Sequence, residues 1–229
     1  MKNKNIKFFI IIKEKSERIK NKNFVLLNKL PLFKHLLYEL KNEDVFVDTD
    51  SNRIIKECLN DKKLSKVHSY IREKKFVNLE NSKSYNKSPV LLMIYNFLNK
   101  FCNDEDIIVC SHVTSPFIKL KTIKKAINYL NKGYDSVSSA TFHNEFGLVN
   151  QKKNYKRINF TKNVVKKTQD LDPIVLLNGA FFIFKKKTFI KYKSRYSKKH
   201  YYYKLDYPES IDINYHSELK VAKFYAKNK

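Results

Sequence analysis

Apolar residues recur along this chain in two rhythms. Residues 8–12 and 107–110 form short unbroken apolar runs, the pattern of strands covered on both faces. Residues 89–101 and 118–130 instead space their apolar positions three and four apart, the pattern of helices with one buried face. Read in order, the rhythm predicts a strand at 7–12, a helix at 33–40 after Pro31, a strand at 45–47, a helix at 53–59 and a short strand at 66–70. It continues with a helix at 89–101, a strand at 107–110, a helix at 118–130 that stops before Gly133, and a strand at 136–141. From 144 to 172 the periodicity breaks into polar, lysine-rich sequence, expected to form a protruding hairpin or dimerisation arm. The sheet resumes at 180–184, followed by a helix at 189–192, an extended segment at 201–205, a short turn or strand at 210–213 and a closing helix at 218–226. Strands and helices taking turns in this way place the chain in the α/β class, around a largely parallel sheet whose strand C-termini carry the functional loops. No repeat or linker interrupts the pattern, so 1–229 is read as one domain with 144–172 projecting from it.

Charge sharpens this picture. The 47 Lys and Arg against 22 Asp and Glu give a formal net charge of +25, which attracts polyanions of any kind. Lysine is spread along the whole chain with no confined basic block, so the excess reads as a compositional bias and no specific nucleic-acid partner is expected. The apolar run 8–12 is far shorter than the ~20 residues of a membrane span, so the expectation is a soluble, cytoplasmic protein without a membrane partner. Cys58, Cys102 and Cys110 are odd in number, lack CxxC spacing and read as free thiols in a reducing compartment. With only three glycines, neither a Walker loop nor a GxGxxG fingerprint can be written. The six histidines form no HxxxH cluster and no serine sits in a GxSxG elbow, which removes the zinc and serine hydrolases.

What remains is the loop after the first strand, Lys13 to Asn23, which sets cations and hydroxyl or amide donors where the phosphates of a nucleotide would meet the sheet. Lys13, Arg18 and Lys22 have the charge to neutralise a triphosphate, each charge-assisted hydrogen bond contributing roughly 1.5 to 3 kcal/mol. The competing reading is a solvated basic loop. Other chemistry-bearing residues also have plain alternatives. Asp212 suits a helix cap or a lysine pair, Asp50 a strand-ending turn, Thr114 to Pro116 a helix start, His112 a packed histidine, and Asn178 with Gly179 a turn.

In sequence order, the strand, the Lys-x-x-Ser loop, Lys22-Asn23 and Pro31-Leu32 resemble the opening of the acylneuraminate cytidylyltransferases. Val47-Asp48-Thr49-Asp50-Ser51, Arg72, Thr114-Ser115-Pro116, Asp135-Ser136-Val137, Thr168-Gln169-Asp170, Asn178-Gly179-Ala180 and Ile211-Asp212-Ile213 then follow in the order of that family's motifs. The likeness spans nearly the whole chain. It implies a Rossmann-like three-layer sandwich of the nucleotide-diphospho-sugar transferase type, often a homodimer joined through its arm. It further implies Mg2+-dependent attack of a sugar-acid hydroxyl on the α-phosphorus of CTP, giving a CMP-sugar and pyrophosphate.

Carried over by that resemblance, Lys13, Ser16, Arg18, Lys22 and Asn23 would bind the triphosphate, with Lys13, Arg18 and Lys22 as the catalytic cations. Arg72, Thr114 and Ser115 would hold the nucleotide, His112, Gln169 and Asn178 would contact the acceptor, and Asp212 with Asn214 would form the metal site. The chain departs from the family at three places. The first loop has Lys13-Glu14-Lys15-Ser16-Glu17, lacking two glycines and a cation that Arg18 would restore. Asn214 replaces a second aspartate, and Lys29-Leu30 stands where glycine and lysine are usual. These departures mark a divergent branch and leave a catalytically inactive relative as one alternative, while the +25 charge leaves a basic nucleic-acid-binding protein as another.

Overall fold

The computed structural model describes residues 5–82, 88–152, 154–164 and 166–227. In chain order the elements are β1 (Ile6–Ile12), β2 (Leu26–Leu27), β3 (Leu30–Pro31), α1 (Leu32–Glu39), β4 (Asp44–Thr49), α2 (Asn52–Leu59), β5 (Val67–Ile71), α3 (Lys74–Asn81) and α4 (Pro89–Phe101). There follow β6 (Ile107–Ser111), α5 (Leu120–Ile127), β7 (Ser136–His143), β8 (Leu148–Gln151), β9 (Asn154–Arg157), β10 (Ile174–Lys185), α6 (Lys186–Tyr192), β11 (His200–Lys204) and α7 (His216–Lys227).

Seven strands form one sheet in the order β11-β7-β10-β6-β1-β4-β5. All neighbours are parallel except β10, which runs antiparallel to both β6 and β7. Alternation along β1 explains why the sheet is covered on both faces. Phe8, Ile10 and Ile12 join α1, α2 and α5 in one core, whereas Phe9 packs with α3, α4 and α6 in the other. The result is a three-layer α/β/α sandwich. A third core lies at the strand C-termini, where α7 contributes Leu219, Ala222 and Ala226 and meets Ile19, Phe117, Ile211 and Ile213 from three separate loops. Those loops are thus backed by apolar packing, each buried Leu, Ile or Phe side chain contributing about 1.5 to 3 kcal/mol.

After β5 the chain crosses back over β1 to start β6 on its other side. The loops leaving β1 and β6 therefore diverge, and an open crevice forms between them, the usual ligand position in such sheets.

Most expected elements are present. The helix expected at 89–101 spans those residues, opened by Pro89 at its first turn. The 118–130 helix is shorter: α5 tightens into a 3-10 turn at Asn128–Lys132 that ends on left-handed Gly133. The arm contains the exposed β8–β9 hairpin. Three features differ. The chain between 72 and 88 holds a helix, α3, missing from the sequence reading because it buries only Phe76. The strand expected at 180–184 begins at Ile174, since Ile174 to Leu177 pair with the outer end of β7. Residues 210–213 form no strand. Cys58, Cys102 and Cys110 are free and buried, and among the described residues no helix is long and apolar enough to cross a membrane.

Candidate active site

The loop between β1 and β2 is held from several directions. Asn23 is buried, and its Nδ2 donates to the Lys13 carbonyl at 2.7 Å. Asp50, at the end of β4, accepts the Glu14 N–H at 2.6 Å. Asp50 is thus a brace for the loop. Ser16 is half-buried and Arg18 exposed, and Lys13 pairs with Glu80 at 3.1 Å.

Two further loops are stitched to this one. The Ile213 N–H donates to the Thr114 carbonyl at 2.8 Å, and Lys22 Nζ donates to the Ile213 carbonyl at 2.8 Å. Arg18 Nη2 donates to Asn214 Oδ1 at 2.7 Å, and Asn214 Nδ2 donates to Asp212 Oδ2. Only this orientation of the Asn214 amide satisfies both partners, because a flipped amide would face donor to donor and acceptor to carboxylate. The altered first loop and the altered turn at 212–214 therefore meet in a single hydrogen-bonded chain. An aspartate at 214 would set a second negative charge beside Asp212. Asparagine links Asp212 to Arg18 instead.

Burial lowers the Lys22 pKa; nearby Asp212 opposes this and Arg18 adds to it. Asp212 Oδ1 is buried without a hydrogen-bond partner, as is Ser115 Oγ. An orphaned carboxylate oxygen fits a divalent cation held by one protein carboxylate, with phosphates and water supplying the other ligands. Among the described residues no three acidic, histidine or cysteine side chains gather into a complete metal cage. Asn214 is engaged with Arg18 and Asp212, which leaves Asp212 Oδ1 as the unpartnered anionic oxygen of this turn.

Arg72 sits differently from the other cations. Its side chain is fully buried, pairing through Nε with Asp48 at 2.6 Å and through Nη1 with Glu80. Nη2 also donates to the carbonyls of Ile12 and Asp48, at 3.2 and 3.1 Å. A direct nucleotide contact would require the guanidinium to leave this network. In place, it fixes the point where the β1 loop begins.

His112 follows β6 and points to the α4 side of the crevice. Its ring retains solvent access but is ringed by protein. That surrounding lowers its pKa to about 4, helped by Arg195 and Lys22 and opposed by Asp212. The imidazole is neutral at physiological pH. Asn178 lies where the β7–β10 register shifts, next to Gly179 with φ of 73°, and its buried Nδ2 has no partner. Gln169 is exposed in a 3-10 turn of the arm and, among the described residues, makes no hydrogen bond to the crevice loops. Sequence reasoning missed Arg195, which enters the His112 environment from the segment after α6. Its only sequence signal is its place beside Tyr196 in a stretch of Lys and Ser.

A protein-family model described as cytidylyltransferase matches residues 10–227. The chain is 26% identical over 220 residues to the N-acylneuraminate cytidylyltransferase of Streptococcus agalactiae serotype V, covering 87% of this chain and 48% of that protein. With the serotype III protein of the same name it shares 25% over 209 residues, at the same coverage. The chain spans about half the length of the curated relatives it matches. Among solved structures, CMP:2-keto-3-deoxy-manno-octonic acid synthetase complexed with CTP aligns with a TM-score of 0.64 at 10% identity, covering 98% of this chain and 100% of that one. The 4-diphosphocytidyl-2C-methyl-D-erythritol synthase of Anaerococcus prevotii gives 0.64 at 13% identity, with 98% and 96% covered. At these identities the structural likeness shows the fold.

Proposed function

The chain belongs to the cytidylyltransferase family, and we propose that it transfers a cytidylyl group from CTP to a sugar acid of the sialic acid type, releasing pyrophosphate. The observation that carries this reading is the cluster at the crevice between β1 and β6. There Lys22 and Arg18 converge on a loop whose Asp212 offers a buried, unpartnered oxygen. The S. agalactiae relatives' names support the acceptor class.

In the reaction, the sugar hydroxyl oxygen bonds to the α-phosphorus, the bond from that phosphorus to the pyrophosphate oxygen breaks, and the hydroxyl proton is released. Little covalent help is needed, since such transfers depend on positioning and on neutralising charge that builds on the leaving group. Lys13, Arg18 and Lys22 would supply that charge, with Ser16 donating to a phosphate and Asn23 keeping the loop in shape. Thr114 and Ser115 would border the nucleotide. His112, as a neutral imidazole, and Asn178 would face the acceptor. Asp212 would hold Mg2+, which when bound neutralises phosphate charge. Exposed Leu148, Val149, Tyr155, Leu176 and Leu177 on and beside the arm fit burial in a homodimer, which would bring Gln169 toward a neighbouring acceptor site.

The test is thermal stabilisation by CTP, ATP, GTP and UTP, each with magnesium. At a hundredfold excess over Kd, binding stabilises by about 2.7 kcal/mol, roughly 5 to 10 °C for a chain this size. A shift confined to CTP is expected. Equal shifts with all four would mean that the basic loop merely collects phosphates, and no shift would favour an inactive relative.

A further inference from the structure

Arg195 lies in the segment between α6 and β11 and is half-buried. Its guanidinium carbon stands 3.8 Å from the centroid of the Phe182 ring. The Tyr196 ring meets the same phenyl edge-on at 5.9 Å, and the His112 ring lies 6.2 Å from it. Phe182 pairs in register with Cys110 of β6, so it is on the sheet face that His112 continues just past the strand end. The other half-buried or buried cations of the crevice are satisfied by the protein: Arg72 by Asp48 and Glu80, Lys22 by the Ile213 carbonyl. Among the described residues Arg195 has no acidic or carbonyl partner, only the Phe182 ring.

Stacking on Phe182 covers one face of the guanidinium and restrains its plane, which leaves the edge N–H groups to receive a ligand. A planar fork of donors matches a carboxylate, which it binds through two parallel hydrogen bonds. The position is also suitable. Arg195 and His112 flank the same Phe182 ring, at 3.8 and 6.2 Å from its centroid, and His112 is within electrostatic reach of Arg195, Lys22 and Asp212 alike. We propose that Arg195 is the carboxylate receptor of the acceptor site, with Phe182 as its platform. This assignment rests on the sugar-acid reading above and adds to it the residue that distinguishes an acid from a neutral sugar.

The experiment compares wild type, Arg195→Gln and Arg195→Lys for calorimetric binding of N-acetylneuraminate and 2-keto-3-deoxy-manno-octonate, each against its methyl ester. CTP affinity and turnover are measured alongside. In wild type at least one acid should bind better than its ester. In Arg195→Gln that acid should weaken by roughly 10- to 150-fold, the loss expected for one charge-assisted hydrogen bond, until acid and ester bind alike. CTP affinity should stay within about twofold, and Arg195→Lys should recover part of the preference. Two results would overturn the assignment: undiminished acid binding in Arg195→Gln, or acid and ester weakened by the same factor, which would make Arg195 a packing residue. Acid binding that depends on Arg195 without any cytidylyl transfer would leave the assignment standing and remove the proposed reaction. CTP binding with no affinity for either acid would remove the acceptor class and the role of Arg195 together.

Discussion

Replacing Arg72 with methionine separates a structural brace from a ligand. The substitution keeps much of the side-chain volume but removes the guanidinium from Asp48 and Glu80 and from the carbonyls of Ile12 and Asp48. Glu80 retains Lys13 at 3.1 Å, so the cost falls mainly on Asp48, whose side chain is 3% exposed. Burial already pushes the Asp48 carboxyl above its usual range, with Arg72 opposing that rise. Breaking a buried pair from one side typically costs about 3 to 5 kcal/mol, a large share of the roughly 5 to 15 kcal/mol that holds a domain folded. Urea unfolding of Arg72→Met should show a loss of that size. Adding Asp48→Asn should recover a substantial part, because no uncompensated charge then remains. The loss should also shrink at acid pH, where Asp48, its pKa raised further without Arg72, takes up a proton in the folded state. CTP affinity of the folded variant, measured at low temperature, should stay within a few-fold of wild type. A variant with a normal unfolding midpoint and CTP affinity reduced tenfold or more would refute this reasoning and make Arg72 a direct nucleotide ligand.

Two further outcomes follow from local geometry. Gly179→Ala meets no atom within 4 Å, yet φ at 73° is left-handed, so the variant should lose about 1 to 2 kcal/mol in denaturant unfolding. An unchanged midpoint would mean that the bulge relaxes freely. The His200 ring is held between Ser136 Oγ at 2.7 Å and Ser138 Oγ at 2.8 Å, and burial lowers its pKa to about 4. Between an unfolded value of about 6.5 and that folded value, the unfolded chain takes a proton the folded one refuses, so stability falls as pH drops through this window. The share due to this partly exposed ring is on the order of 1 to 3 kcal/mol. His112 titrates in the same window, so the measure is the difference between wild type and His200→Gln from pH 7 to 4.5. Parallel acid limbs would refute it.

Elements with strong local signals were legible in the chain. The apolar runs of β1 and β6 could be little else than buried strands, and thirteen residues of helical spacing opened by Pro89 marked α4. Helix α3 was not legible, because one buried phenylalanine leaves no periodicity. Nor was the first third of β10, since exposed Val175, Leu176 and Leu177 follow directly on the polar arm. In the site, Lys22 and Asn23 were visible as candidates because they lie in the polar loop after the first strand, and Asp212 only through the family resemblance of Ile211-Asp212-Ile213. Their partners were not.

The amphipathic and continuous apolar patterns by themselves determined an α/β sandwich and the loops from which a site could be built. Only the tertiary structure decided which charges meet. Arg18 and Asn214 are 196 residues apart. Their contact depends on α7 packing its apolar face against Ile19 and Ile213 at the sheet rim. The partners of Arg72 were likewise invisible in the chain: β4 and β5 pair in register to bring Asp48, and α3 brings Glu80. The physical reason is that strands buried on both faces present much the same apolar pattern whatever their neighbours. Periodicity therefore identifies such strands without ordering them, and it is their order that places each polar loop beside its partner.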